Sequence, residues 1–194
     1  MVKAQDIEEI KSKVIQSALT LAAGARWDEV SMCQIADKAG IPLDEITPLF
    51  ADKTDILQAY GRKIDADVAQ AMNGQSMEDD TPRDRLFDIL MERFDVLNDD
   101  RASVVSILDS MTLDPKQMVI SLPWLCRSMT SMLELSNVET SGWKGALRIT
   151  GLTGVYLKTL RVWVNDESQD MAVTMASLDT ALNRADQMAS YFKI

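Results

Sequence analysis

The sequence predicts an all-α protein of about nine helices, with a helix-turn-helix domain at the N-terminus followed by a helical bundle. Three observations carry that prediction. Apolar residues recur at three- and four-residue spacing through most of the chain, and the period-two alternation of strands is scarce. Ala, Leu, Met, Glu and Gln, all good helix formers, are abundant. Glycines and capping residues punctuate the first 72 residues at short intervals, the mark of several helices joined by tight turns.

The first helix is expected over residues 6–23, with Ile7, Ile10, Val14, Ile15, Ala18, Leu19 and Leu21 as its apolar stripe. Asp6, Glu8 and Glu9 suit the positive end of its dipole, and Gly24 ends it. Trp27 then plugs the small core. Ser31 with Gln34 three residues on reads as a capping box opening a helix over 32–39, which Gly40 stops. A short third helix over 42–49 starts on Pro42, and a fourth runs from Asp52 or Lys53 to about Met72. Helix, glycine turn and short helix form the helix-turn-helix order. Residues 73–82, NGQSMEDDTP, are the clearest linker and divide the chain into a head, 1–72, and a bundle, 73–194. Further helices are expected at 82–97, 100–111, 115–135, 140–164 and 168–190, with Ser168 capping the last.

Composition and charge narrow the function. The chain contains no histidine, which removes the commonest general base and zinc ligand. No serine or cysteine therefore has a histidine to activate it, and no glycine-rich phosphate loop is present. Asp166, Glu167, Asp170 and Asp179 are the only acidic grouping worth weighing as a metal site, and they read as a cap and a solvated turn. We expect no enzyme activity, no cofactor and no metal. Cys33 and Cys126 read as two reduced core thiols. The acidic N-terminus is no signal peptide and no apolar run is long enough to span a membrane, so a cytoplasmic location without transmembrane insertion is expected. The formal net charge is −10, and the first 60 residues alone hold six Lys/Arg against ten Asp/Glu. A head of that sign repels phosphate and lacks the counterion-release contribution that drives most non-specific DNA binding.

The stretch VSMCQIADKAGIPLDEITPLFADKTDIL, residues 30–57, resembles the DNA-binding domain of the TetR family of bacterial transcriptional regulators. Ser31, Ile35, Ala36, Ala39, Gly40, Ile46, Phe50, Lys53 and Leu57 match that family's pattern. The closing pattern from Trp163 through Asp166, Ser168, Asp170, Thr174, Met175, Leu178, Asp179, Leu182, Arg184 and Ala185 resembles a proteobacterial branch of the family. More loosely, it is similar to the lipid-binding accessory proteins of ubiquinone biosynthesis, which share the fold. The resemblance implies a homodimer, with the last two helices pairing between subunits, and an operator-DNA partner. Its recognition positions fall on Leu43, Asp44, Glu45 and Thr47, with Lys53 as the obvious phosphate partner. The family's phosphate-contacting tyrosines and its histidine are replaced by Thr47, Pro48 and Leu49, so DNA affinity is expected to be weak.

Methionines and aromatics in the second half offer a soft lining for a small apolar or lipid-like ligand: Met111, Met118, Leu122, Trp124, Leu125, Met129, Met132, Trp143 and Tyr156. The competing account makes them core and dimer-interface residues. Gly145, Gly151 and Gly154 lie in a predicted helix, where each costs on the order of 0.5–1 kcal/mol, and so imply close backbone approach in a dimer or, as the rival, a curved helix lining the pocket. Gly151, Gly154, Trp163, Met175, Leu178 and Leu182 are the expected dimer contacts. Two functions follow: a ligand-responsive DNA-binding regulator of TetR type, or a protein of the same fold that binds a lipid or other hydrophobic ligand and not DNA.

Overall fold

The computed structural model describes residues 4–74, 80–112 and 115–192. Its described residues form nine α-helices and no strand: α1 Ala4–Gly24, α2 Met32–Ala39, α3 Leu43–Ile46, α4 Lys53–Met72, α5 Pro82–Asp99, α6 Arg101–Thr112, α7 Pro115–Leu135, α8 Gly142–Val164 and α9 Ala172–Phe192. A single 3-10 turn, Trp27–Glu29, lies between α1 and α2. Two compact units result, one of Met1–Lys63 with Leu97–Ile120, the other of Ile64–Val96 with Ser121–Ile194.

In the first unit Val14, Ala18, Leu19, Trp27, Ile35, Ile46, Phe50 and Ile56 are buried together. Each large side chain withdrawn in this way stabilises the unit by about 1.5–3 kcal/mol before entropy is charged against it. The α2 capping box forms as expected. Ser31 Oγ accepts from Gln34 N at 3.2 Å, and Ser31 N donates to Gln34 Oε1 at 2.7 Å. Gly40 closes α2 at φ +65°, which lets Ile41 N reach Ala36 O at 3.2 Å. Helix α6 packs on α1 and its hydroxyls bond to backbone carbonyls of α1 and the residue after it: Ser103 Oγ donates to Leu19 O at 2.8 Å and Ser106 Oγ to Ala25 O at 3.0 Å. Tyr60 donates to Asp100 at 3.0 Å, fixing α4 to the start of α6.

Three details differ from expectation. The short third helix is one turn, 43–46, rather than 42–49. Pro48 has no N–H for Asp44 O, so the helix stops before it, and Leu49 and Phe50 both donate to Ile46 O at 2.9 Å. Helix α9 begins at Ala172, four residues after the expected Ser168 cap. Cys33 is exposed on α2 instead of lying in the core, and Cys126 is half-buried; both are free thiols.

The second unit is built on Phe94, whose ring stacks on Tyr156 at 5.5 Å and tilts against Trp163 at 6.3 Å. Ile89, Leu90, Met129, Met132 and Leu178 complete a fully enclosed centre. Helices α8 and α9 pack side by side, and the turn between them is organised by a buried carboxylate, Asp166. Its Oδ2 accepts from Thr174 N at 2.8 Å and Thr174 Oγ1 at 2.6 Å, and its Oδ1 accepts from Ser168 N at 3.0 Å and from the Ser168 hydroxyl. The negative charge sits at the positive end of α9 and caps it. Burial works against that charge, but the hydrogen bonds from Ser168 and Thr174 outweigh it and hold the carboxyl well below the usual range.

Candidate nucleic-acid interface and ligand site

Ile46 is fully buried, and this anchors α3 so that its other side chains face outward. Leu43, Asp44, Glu45 and Thr47 are all exposed, so the residues in the recognition positions are placed to meet a partner. Their chemistry is poor for DNA. Asp44 and Glu45 repel phosphate, and the Thr47 hydroxyl is turned back to Leu43 O at 2.6 Å.

Lys53 does not point outward as a phosphate partner would. Its ammonium donates to Trp27 O at 2.7 Å and Val30 O at 2.5 Å, and stands 4.8 Å from the Trp27 ring centre. Burial pulls its pKa down, with Asp28 opposing the shift. Lys53 opens α4, as expected, but its side chain turns inward. The carbonyls of Trp27, in the 3-10 turn, and of Val30, just after it, are the acceptors that the ammonium meets. Other cations of the head are paired with nearby acids: Lys11 with Glu8 at 2.8 Å, Lys13 with Glu9 at 2.8 Å and Arg26 with Asp28 at 2.8 Å.

The residues expected to line a ligand site divide into several environments. Met129, Met132 and Tyr156 are buried in the second unit, and Leu125 is half-buried there. Leu122, Trp124 and Trp143 are exposed, with the Arg127 guanidinium 5.3 Å from the Trp124 ring and the Lys144 ammonium 5.7 Å from that of Trp143. Met111 is half-buried in the first unit. The Met118 side chain lies outside the described residues.

Among the expected dimer contacts, Gly151, Gly154 and Met175 are exposed. Trp163, Leu178 and Leu182 are enclosed by their own chain, at 0%, 0% and 3% exposure, and have nothing to offer a second copy. Of the three helical glycines, only Gly145 is crowded: a Cβ there would lie 1.9 Å from Thr140 O, whereas at Gly151 and Gly154 it would meet nothing within 4 Å.

A residue that the sequence reading missed is Arg93. It is 4% exposed and paired with Asp65, whose Oδ1 also accepts from Ser128 Oγ at 2.5 Å. The signal was present, since Arg93 falls four residues after Ile89 on the apolar stripe of α5. At the start of α5 a polar groove is lined by Thr81, Arg83, Asp84, Asp179 and Asn183. Arg83 bridges it, donating to Asp84 at 2.9 Å, to Asn183 at 3.1 Å and to Asp179. Asp179 is thus engaged by Arg83 while Asp166 is held by Ser168 and Thr174, and no group of three metal-ligating side chains occurs among the described residues.

A capped helix, a glycine turn and a one-turn outward helix, ahead of further helices, form a helix-turn-helix arrangement. Comparison with solved structures makes the class specific. A TetR transcriptional regulator from Nitrosomonas europaea is similar with a TM-score of 0.73 at 22% identity, over 91% of this chain and 98% of that one. A TetR regulator from a Rhodococcus species gives 0.63 at 17% identity, over 90% and 96%. RolR, solved with resorcinol, gives 0.53 at 21% identity, over 97% and 96%. No family model matches the sequence, and neither does any curated protein. The chain has the TetR-like fold. The Nitrosomonas and Rhodococcus proteins that share it are transcriptional regulators. No helix among the described residues is long and apolar enough to cross a membrane.

Proposed function

We propose that this chain is a dimeric, ligand-responsive transcriptional regulator of TetR type, acting in the cytoplasm, whose DNA affinity is weak. The observation that carries the reading is the likeness to a TetR regulator over 91% of the chain, head and bundle together. In this reading residues 1–72 are the DNA-facing domain, with Leu43, Asp44, Glu45 and Thr47 as the contact residues. Residues 73–194 hold the ligand and pair with a second copy. The exposed row Leu147, Gly151, Gly154 and Leu157 on α8 supports pairing, because its small and apolar side chains recur on one helical face that this chain leaves uncovered. Resorcinol in RolR supports a small, largely apolar guest. The guest would reach Met129, Met132 and Tyr156, and its binding would change the spacing of the two heads.

A second reading is favoured by α3 itself. Two exposed acids and an inward-turned Lys53 suit a protein that keeps the fold but binds only a lipid or hydrophobic molecule, in the manner of the ubiquinone-biosynthesis accessory proteins. Capture of fragmented bacterial genomic DNA by the purified protein, scored by sequencing at low and near-physiological salt, separates the two. A palindromic site enriched at both salts supports the regulator. Retention without enrichment that vanishes as salt rises leaves only the second.

A further inference from the structure

Arg93 is a charged side chain in an apolar interior. A guanidinium carries five N–H donors in a fixed fork. Here Nη1 donates to Asp65, and the guanidinium carbon lies 5.3 Å from the Tyr156 ring centre. The buried Nε has no acceptor. Protein interiors seldom leave such a donor unmet, and where the chain supplies no acceptor an oxygen of water or of a ligand takes that place.

The surroundings select the chemistry of that partner. Tyr156 is stacked on Phe94, and Ser128, which shares Asp65 with Arg93, is followed along α7 by the buried Met129 and Met132. Thioethers and rings accommodate an apolar body of irregular shape. Asp65 already balances the charge of Arg93, so a carboxylate or sulfonate brought to Nε would leave an excess negative charge buried, which is costly. A neutral oxygen carries no such cost. We propose that the second unit binds an apolar small molecule bearing a neutral carbonyl or hydroxyl oxygen, which accepts a hydrogen bond from Arg93 Nε. This rests on the ligand-binding reading above and adds the class of ligand and the residue that selects it.

The test titrates the full-length protein with three naphthalene dyes of similar apolar body. Prodan is a neutral ketone, N-phenyl-1-naphthylamine has no acceptor oxygen, and 1-anilinonaphthalene-8-sulfonate is an anion. Prodan should bind about tenfold tighter than the other two. Its addition should also move the Nε–Hε resonance of Arg93 in arginine-labelled protein, which the naphthylamine leaves in place. Arg93→Lys keeps a cation for Asp65 but removes the Nε donor, and prodan affinity should fall about tenfold. If that variant fails to fold, the wild-type resonance decides alone. Equal binding of prodan and naphthylamine with an unmoved resonance overturns the proposal while the ligand-binding reading stands. Tightest binding of the sulfonate overturns the argument for a neutral oxygen. Binding of none of the three overturns both readings.

Discussion

Lys53 is the residue expected to meet phosphate, yet its ammonium faces two backbone carbonyls and an indole. Lys53→Met leaves Trp27 O and Val30 O without that donor and should cost about 1–2 kcal/mol, read as a lower thermal midpoint. Low-salt DNA retention should not change beyond that loss of folded protein. Unchanged stability with weakened DNA retention would return Lys53 to the phosphate-contacting role. Asp166 shows the same inward use of charge. Its carboxyl has a lowered pKa in the folded protein, so the stability that it contributes is fully present above the unfolded value of about 4. That contribution shrinks as pH falls below about 4 and is gone once the folded-state carboxyl protonates. Asp166→Asn should lower stability by about 1–2 kcal/mol at neutral pH, with the gap to wild type narrowing in acid. Denaturant melts of both proteins at neutral pH and at about pH 3 check the sign.

Helix boundaries were legible where the determinants are local. Ser31, Gln34 and Gly40 announce both ends of α2 within ten residues, and the structure uses all three. Ser31→Ala should therefore cost about 1 kcal/mol through the lost cap, measurable in a denaturant titration. The start of α9 was misplaced because its cap comes from Asp166, eight residues before the Thr174 amide that it accepts, and so outside any short-range signal. Helix α3 was drawn too long because the turn that follows it keeps helical dihedrals at Thr47 even though Pro48 has cut the ladder. The direction of Lys53 and the burial of Arg93 depend on neighbours 23 and more residues away, which no local pattern encodes. Gly145, Gly151 and Gly154 share one helical pattern but not one environment. Gly145→Ala drives a Cβ into the Thr140 backbone and should destabilise the monomer by about 1–3 kcal/mol. Gly151→Ala and Gly154→Ala meet open space and should gain helix propensity instead.

For the molecule as a whole, that contrast is a test of assembly. If the open glycines mark the pairing face, Gly154→Leu leaves the thermal stability of the isolated chain intact but shifts sedimentation from dimer toward monomer. A dimer unmoved by Gly154→Leu and by Leu157→Glu places the pairing face elsewhere. The TetR-like fold itself was readable from the sequence, because it rests on core spacings and turn residues spread through the whole chain. Its function was less so, because the matched positions are mostly core and turn positions, and the exposed ones carry the wrong charge for DNA. The serine and tyrosine hydroxyls that join α6 to α1 and α4 bear on how such a chain could be shuffled by recombination. A gene fragment ending at residue 72 would encode α1 to α4 but not Asp100, Ser103 or Ser106. It would inherit a head with an uncovered flank, and a head grafted from a relative would arrive equally unfinished. Inheritance of this head therefore requires two separate stretches of sequence to travel together.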